Sequence, residues 1–246
     1  MAGHNKWSKI KHKKAANDAK RGKMFTKLLR EITVAARTSG SDSARVSLLV
    51  SKGRAINLPN DLIKRALARA ADKGEADNTE ELNYEAYGPG GVAIVMEALT
   101  DNRNRTIAEV RHAIGKGGGN MAESGSVLWQ FEKKGQLSFE TEKTSEDELM
   151  EKLLDHGVED IDASDDELIY VTCEPGDLMA VRDAAEAAGL EAKSVELTYI
   201  AKNQVPVDKD SAEKVLKLVD ALEDLDDIQN VYSNMDIPDD LELADA

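Results

Sequence analysis

At 246 residues, with 41% hydrophobic and 4% aromatic side chains, the chain is long enough for two or three domains, and its 47 Asp and Glu against 32 Lys and Arg give a formal net charge of −15. No apolar run approaches the roughly 18 residues a membrane helix needs. The longest, GGVAIVMEAL at 90–99, is interrupted by Glu97, so an integral membrane protein is excluded.

The net charge hides a bipolar chain. Residues 1–75 carry 18 Lys and Arg against 6 Asp and Glu, whereas residues 76–246 carry 14 against 41. Residues 2–23 alone hold eight cations and one carboxylate, Asp18. A cationic head on an anionic body is drawn toward a polyanion in one orientation, because the field that attracts the head repels the body. This start lacks the apolar core of a secretory signal. A basic, acid-poor start also resembles an organelle transit peptide, but its charge is mostly Lys rather than Arg, and a cytoplasmic protein is expected. Cys173 is the only cysteine, so an intrachain disulfide and a multi-thiolate metal site are both impossible.

Apolar spacing predicts a helix over 15–37, with Phe25, Leu28, Leu29 and Ile32 on one arc and Lys20, Lys23, Lys27, Arg30 and Arg37 on the other. Two more helices are expected over 44–56 and 60–72, the latter opened by Pro59 and closed at Gly74. Residues 1–78 thus read as a basic helical domain, ending in a linker at 74–81.

Strands are expected over 82–87 and 92–99 on either side of Gly88-Pro89-Gly90-Gly91, then a helix over 104–119 and a strand over 126–134. From 136 the order is strand 136–140, a helix from Glu146, strands at 158–163 and 167–173, a helix over 176–189 and a strand over 193–202. That β-α-β-β-α-β order is ferredoxin-like. A helix over 211–225 and a strand over 228–234 follow, and PDDLELADA reads as an acidic tail.

The preceding module, with three strands and one helix, lacks a helix-strand pair. The economical solution is an α+β chain of three domains. A basic helical domain is followed by a discontinuous middle domain, 79–135 with 207–246, into which a second ferredoxin-like domain, 136–206, is inserted. Three consecutive domains remain the alternative.

The N-terminal segment carries the chemistry. Lys6, Lys9, Lys11, Lys13, Lys14, Lys20, Arg21, Lys23, Lys27 and Arg30 can neutralise phosphates, and His4, Trp7 and His12 offer planar faces to bases or sugars. Trp7 serves equally as an anchor onto a core. Lysine predominance suits sequence-tolerant backbone contact better than bidentate reading of guanine. Arg103, Arg105 and Arg111 follow a strand end, where they either pair locally beside a helix cap or form a second contact site.

Neither glycine cluster matches the phosphate-cradling GxxxxGK[ST] pattern, and His4, His12, His112 and His156 lack zinc-ligand spacing. No Ser-His-Asp, Cys-His or HExxH arrangement is present, so neither catalytic residues nor a metal or cofactor is expected.

The blocks AGHNKWSKIKHKKAANDAKRGKMFTKLLREI, YEAYGPGG, DNRNRTIAEVRHAIGKGGGNMAESGSVLWQFEKKG and LEDLDDIQNVYSNMDIP resemble the YebC/PmpR family over nearly the whole chain. The resemblance implies a non-enzymatic protein with a helical N-terminal domain and two α+β domains, one inserted in the other. It also implies a regulator of gene expression. Bacterial members are described as probable DNA-binding transcriptional regulators, and others act in translation at the ribosome, including on proline-rich nascent chains and as a mitochondrial translational activator of cytochrome c oxidase. Duplex DNA and ribosomal RNA are thus both implied partners, with protein partners on the acidic domains. Three sites depart from the family pattern, four residues in all: Ala86 stands for a usual Gly, Ser43-Ala44 for Asn-Pro, and Gly53 for Ala inside a predicted helix, at a propensity cost of about 1 kcal/mol.

Overall fold

A computed structural model describes residues 18–72 and 78–238. Within these, one compact unit holds 28–71 and 133–199, and the other 18–27, 72, 78–132 and 200–238. No described helix is long and apolar enough to cross a membrane.

In the first unit, helix α1 (Asp18–Ser39) contributes its second half, followed by α2 (Ala44–Ala55) and α3 (Asn60–Ala71). Leu28 and Ile32 of α1 are buried as their spacing predicts, whereas Phe25 and Leu29 are half-buried. Every residue from 32 to 36 is buried, so α1 has no single wet arc at its centre.

Ser43 starts α2: its hydroxyl accepts the Val46 amide, the work of an N-cap. Gly53 is a contact position, since a Cβ there would lie 3.1 Å from Leu58 Cδ2 and 3.5 Å from Ile63 Cδ1 and Leu28 Cδ2. Two of the departures from the family pattern therefore have local work here, and α2 runs through Gly53 unbroken.

The same unit contains strand β4 (Phe131–Glu140) from residue 133, α5 (Glu146–Leu153), β5 (Val158–Asp162), β6 (Leu168–Cys173), α6 (Leu178–Ala187) and β7 (Ser194–Ala201) to residue 199. The sheet order is β5-β6-β4-β7, the ferredoxin-like order that β-α-β-β-α-β connectivity produces. Leu137, Phe139, Ile169 and Val171 of the sheet bury against Leu149 and Leu153 of α5 and Leu178 and Val181 of α6, with Leu48 of α2 in the same core.

The other unit is built on β1 (Glu80–Tyr87), β2 (Ala93–Thr100), α4 (Arg103–Lys116) and β3 (Asn120–Met121), then β8 (Val205–Pro206), α7 (Lys209–Glu223), β9 (Ile228–Ser233) and β10 (Met235–Asp236). Its four-stranded sheet has the order β3-β1-β2-β9, antiparallel throughout. Strands far apart in the chain thus share one sheet. Counted along the chain, the strands of this sheet lie in the order 3-1-2-4, against 2-3-1-4 in the first sheet, because β1 and β2 form a hairpin before α4.

Central β2 is buried at every position but Glu97, which explains its near-continuous apolar run. Glu97 is accommodated because its carboxylate accepts from Asn230 Nδ2 at 3.0 Å and Tyr232 Oη at 2.9 Å on β9. Ile94, Met96 and Ala98 share a core with Val110 and Ile114 of α4 and Val215, Leu218 and Leu222 of α7.

The strands expected over 126–134 and 136–140 are a single strand, β4, preceded by a 3-10 turn at Leu128–Gln130.

Candidate nucleic-acid interface

His4, Lys6, Trp7, Lys9, Lys11, His12, Lys13 and Lys14, with the side chain of Lys20, lie outside the described residues. The described cations of α1 are more committed than an outward stripe would be. Lys23 Nζ donates to the Asp224 carbonyl at 2.6 Å, with the Asp224 and Asp226 carboxylates at 3.7 and 3.8 Å. Lys27 Nζ donates to the carbonyls of Glu223 and Ile228, each at 2.6 Å.

The Glu223 and Asp224 carbonyls end α7, where unsatisfied C=O groups and the negative end of the helix dipole favour a cation, and Ile228 opens β9. The first turns of α1 are thereby fastened to the acidic turn at 223–228. Arg21 lies over the Phe25 ring at 5.6 Å, Arg30 is half-buried, and Arg37 donates to the Arg69 carbonyl at 3.3 Å.

Burial, and then the neighbouring Lys23, push Lys27 down from 10.5 to about 8, against the pull of Glu223, Asp226 and Asp224. Between those two values the unfolded chain binds more protons than the folded one, so stability rises with pH across that window. Relative to a Lys27→Met variant, the wild type is expected to gain up to about 3 kcal/mol from pH 8 to pH 10.5 in urea unfolding. A difference that stays flat with pH would contradict this burial of an ammonium.

The arginines after β2 divide. Arg105 Nη2 reaches Asp227 Oδ2 at 2.7 Å and Asp101 at 2.9 Å, and Arg103 sits 3.5 Å from Glu80. Asn102 caps α4 by accepting the Arg105 amide. Local pairing therefore accounts for Arg105 and Arg103, while Arg111 is exposed on α4.

Trp129 escaped the sequence reading, which placed it in a strand. It is 64% exposed, yet firmly held. Its indole N–H donates to the Ser126 carbonyl at 2.9 Å, and Tyr87 Oη donates to the same carbonyl at 3.4 Å. Beneath it, the buried Glu85 carboxylate accepts amides of Gly125 at 2.5 Å, Val127 at 2.6 Å and Leu128 at 2.8 Å. Those three bonds pull 125–128 into a turn. With its one polar atom used internally, Trp129 presents an aromatic face suited to stacking.

Among the described residues no group of three His, Cys, Asp or Glu is placed to hold a metal. Residues 5–73 match the family described as TACO1/YebC protein N-terminal domain, and residues 79–235 match TACO1/YebC second and third domain.

The chain belongs to the TACO1/YebC family.

The resemblance seen in the sequence blocks is thus borne out. Among its TACO1/YebC relatives, the transcriptional regulatory protein PmpR of Pseudomonas aeruginosa is 51% identical over 244 residues, 98% of each chain. A probable transcriptional regulatory protein of Hahella chejuensis is 49% identical over 243 residues, again 98% of each. The crystal structure of a conserved hypothetical protein from Aquifex aeolicus has the same fold, with a TM-score of 0.83 at 39% identity, covering 91% of this chain and 93% of that one.

Proposed function

We propose that this protein is a cytoplasmic, non-enzymatic regulator of gene expression that binds duplex DNA through its basic N-terminal segment. The observation that carries the reading is the concentration of eight cations and one carboxylate in residues 2–23 of a chain whose net charge is −15. His4, Lys6, Trp7, Lys9, Lys11, His12, Lys13, Lys14, Lys20 and Arg21 are the contact set, the lysines neutralising phosphates and the planar groups stacking. Lys23 and Lys27 have a second role in this reading. By fastening α1 to the turn at 223–228 they give the contact segment a fixed stem. The acidic remainder limits indiscriminate coating of nucleic acid and offers a surface to protein partners. The names borne by the relatives favour transcription as the process regulated.

One observation favours a second reading, a translation factor contacting ribosomal RNA: seven of the eight head cations are Lys and one is Arg, a composition for shape-tolerant backbone contact. The test compares binding to a promoter-sized duplex with cosedimentation on ribosomes at one salt concentration, for wild type and a Lys9/Lys13/Lys14→Glu variant. Lys23 is left intact because it holds α1. The variant is expected to bind DNA at least about ten-fold more weakly, with three fewer phosphate contacts. Preferential ribosome binding that the variant loses would transfer the function to translation. Undiminished binding of both by the variant would show that the head is not the contact surface.

A further inference from the structure

The C-terminal end of α4 and the middle of α7 converge near Gly117, where a Cβ would stand 2.7 Å from Leu218 Cδ1. Beside this approach opens a cleft of about 770 Å³, with Lys116 and His112 of α4 facing Lys214 and Lys217 of α7, and Ala113 and Leu218 among its apolar lining. That volume lies in the range of small-ligand sites, about 300–1,000 Å³. Among the described residues no carboxylate lines the cleft, although this part of the chain, 76–246, carries 41 acids to 14 bases. Lys214 is bonded to Asp210 at 2.5 Å, while Lys116 and Lys217 project into solvent. Lys116 in the last turn of α4 also complements the helix dipole, but Lys214 and Lys217 lie mid-helix, where no dipole calls for them.

We propose that this cleft is a second, separate contact site for single-stranded nucleic acid, its lysines taking the phosphodiester backbone and its apolar floor one base. The inference rests on the nucleic-acid reading given above and extends it to a surface that the N-terminal segment does not include. A concave apolar floor ringed by cations suits an unstacked base, which a duplex does not offer. An extended acidic peptide is less well served. The amides of Gly117 and Gly118 at the cleft already donate to the carbonyls of Ala113 and Gly115, so the turn offers a peptide backbone no free donor there.

The experiment measures binding of a labelled single-stranded RNA oligonucleotide to the full chain across a salt series. It compares wild type, a Lys116→Glu/Lys217→Glu variant and the Lys9/Lys13/Lys14→Glu variant. The cleft variant is expected to bind about ten-fold more weakly, with a logarithmic salt slope shallower by about 1.4, two single-strand contacts. In parallel, acylation footprinting of wild type with the oligonucleotide should protect Lys116, Lys214 and Lys217. A cleft variant with wild-type affinity and slope, or lysines left unprotected, overturns the cleft site. If the head variant is weakened in that same series, the nucleic-acid reading survives. Wild type that binds no oligonucleotide at any salt overturns the cleft site alone, since the N-terminal reading is tested separately on duplex DNA. Protection by a polyglutamate peptide and not by the oligonucleotide overturns the inference in favour of an acidic protein partner.

Discussion

Replacing Glu85 with alanine is expected to lower the unfolding free energy by about 3–5 kcal/mol, one of the two largest losses foreseen for single substitutions here. Glu85 is 3% exposed and its carboxylate accepts three backbone amides, from Gly125, Val127 and Leu128. Hydrogen bonds to a charged acceptor contribute about 1.5–3 kcal/mol each, and three on one carboxylate are not additive, which sets the range. Alanine strands those amides at positions where Val127 is fully buried. The turn beneath Trp129 then loses its anchor. Urea unfolding measures the loss, and the emission of Trp129 in a Trp7→Phe background should show the indole released before global unfolding. Wild-type stability with unaltered emission would mean that the turn is fixed by something other than Glu85.

Asp227→Ala follows, at about 2–4 kcal/mol. The Asp227 side chain is almost entirely buried, and Oδ2 accepts from Thr106 Oγ1 at 2.7 Å, Thr100 Oγ1 at 3.2 Å and Arg105 Nη2 at 2.7 Å. This one carboxylate links the end of β2, the first turn of α4 and the entry to β9. The solvent-exposed Arg105 retains Asp101, so the cost falls on the two threonine hydroxyls and on the packing around them. Asp227→Asn keeps an acceptor for the hydroxyls and should recover more than half of the loss. An alanine variant as stable as wild type would relegate the network to a surface ion pair.

Both anchors lay beyond sequence reasoning for the same reason. With 47 acids in the chain, nothing in composition or spacing marks Glu85 and Asp227 as the buried ones, because burial of a carboxylate depends on which amides and hydroxyls the fold brings to it. Glu85 also explains the misplaced strand. Residues 126–134 have a strand-forming composition, but amides that would extend a ladder are bound to the carboxylate on β1, and the ladder begins only at Phe131.

What was legible rested on period and punctuation. The hairpin turn at 88–91, the short apolar run in 168–173 and the amphipathic 209–223 each specify an element without reference to the rest of the fold. The carbonyl partners of Lys23 and Lys27 were not legible. Helical projection places them opposite Leu28 and Ile32, yet the carbonyls that receive them lie about 200 residues further on. The cleft lysines share that difficulty, since Lys116 and Lys217 meet only once α4 and α7 pack.

The measurement that bears most directly on the basic segment as a polyanion contact is the salt dependence of duplex DNA binding by the full wild-type chain. With about six phosphates neutralised, the logarithm of the binding constant should fall against the logarithm of salt concentration with a slope near −5. An affinity that does not change with salt would contradict the account.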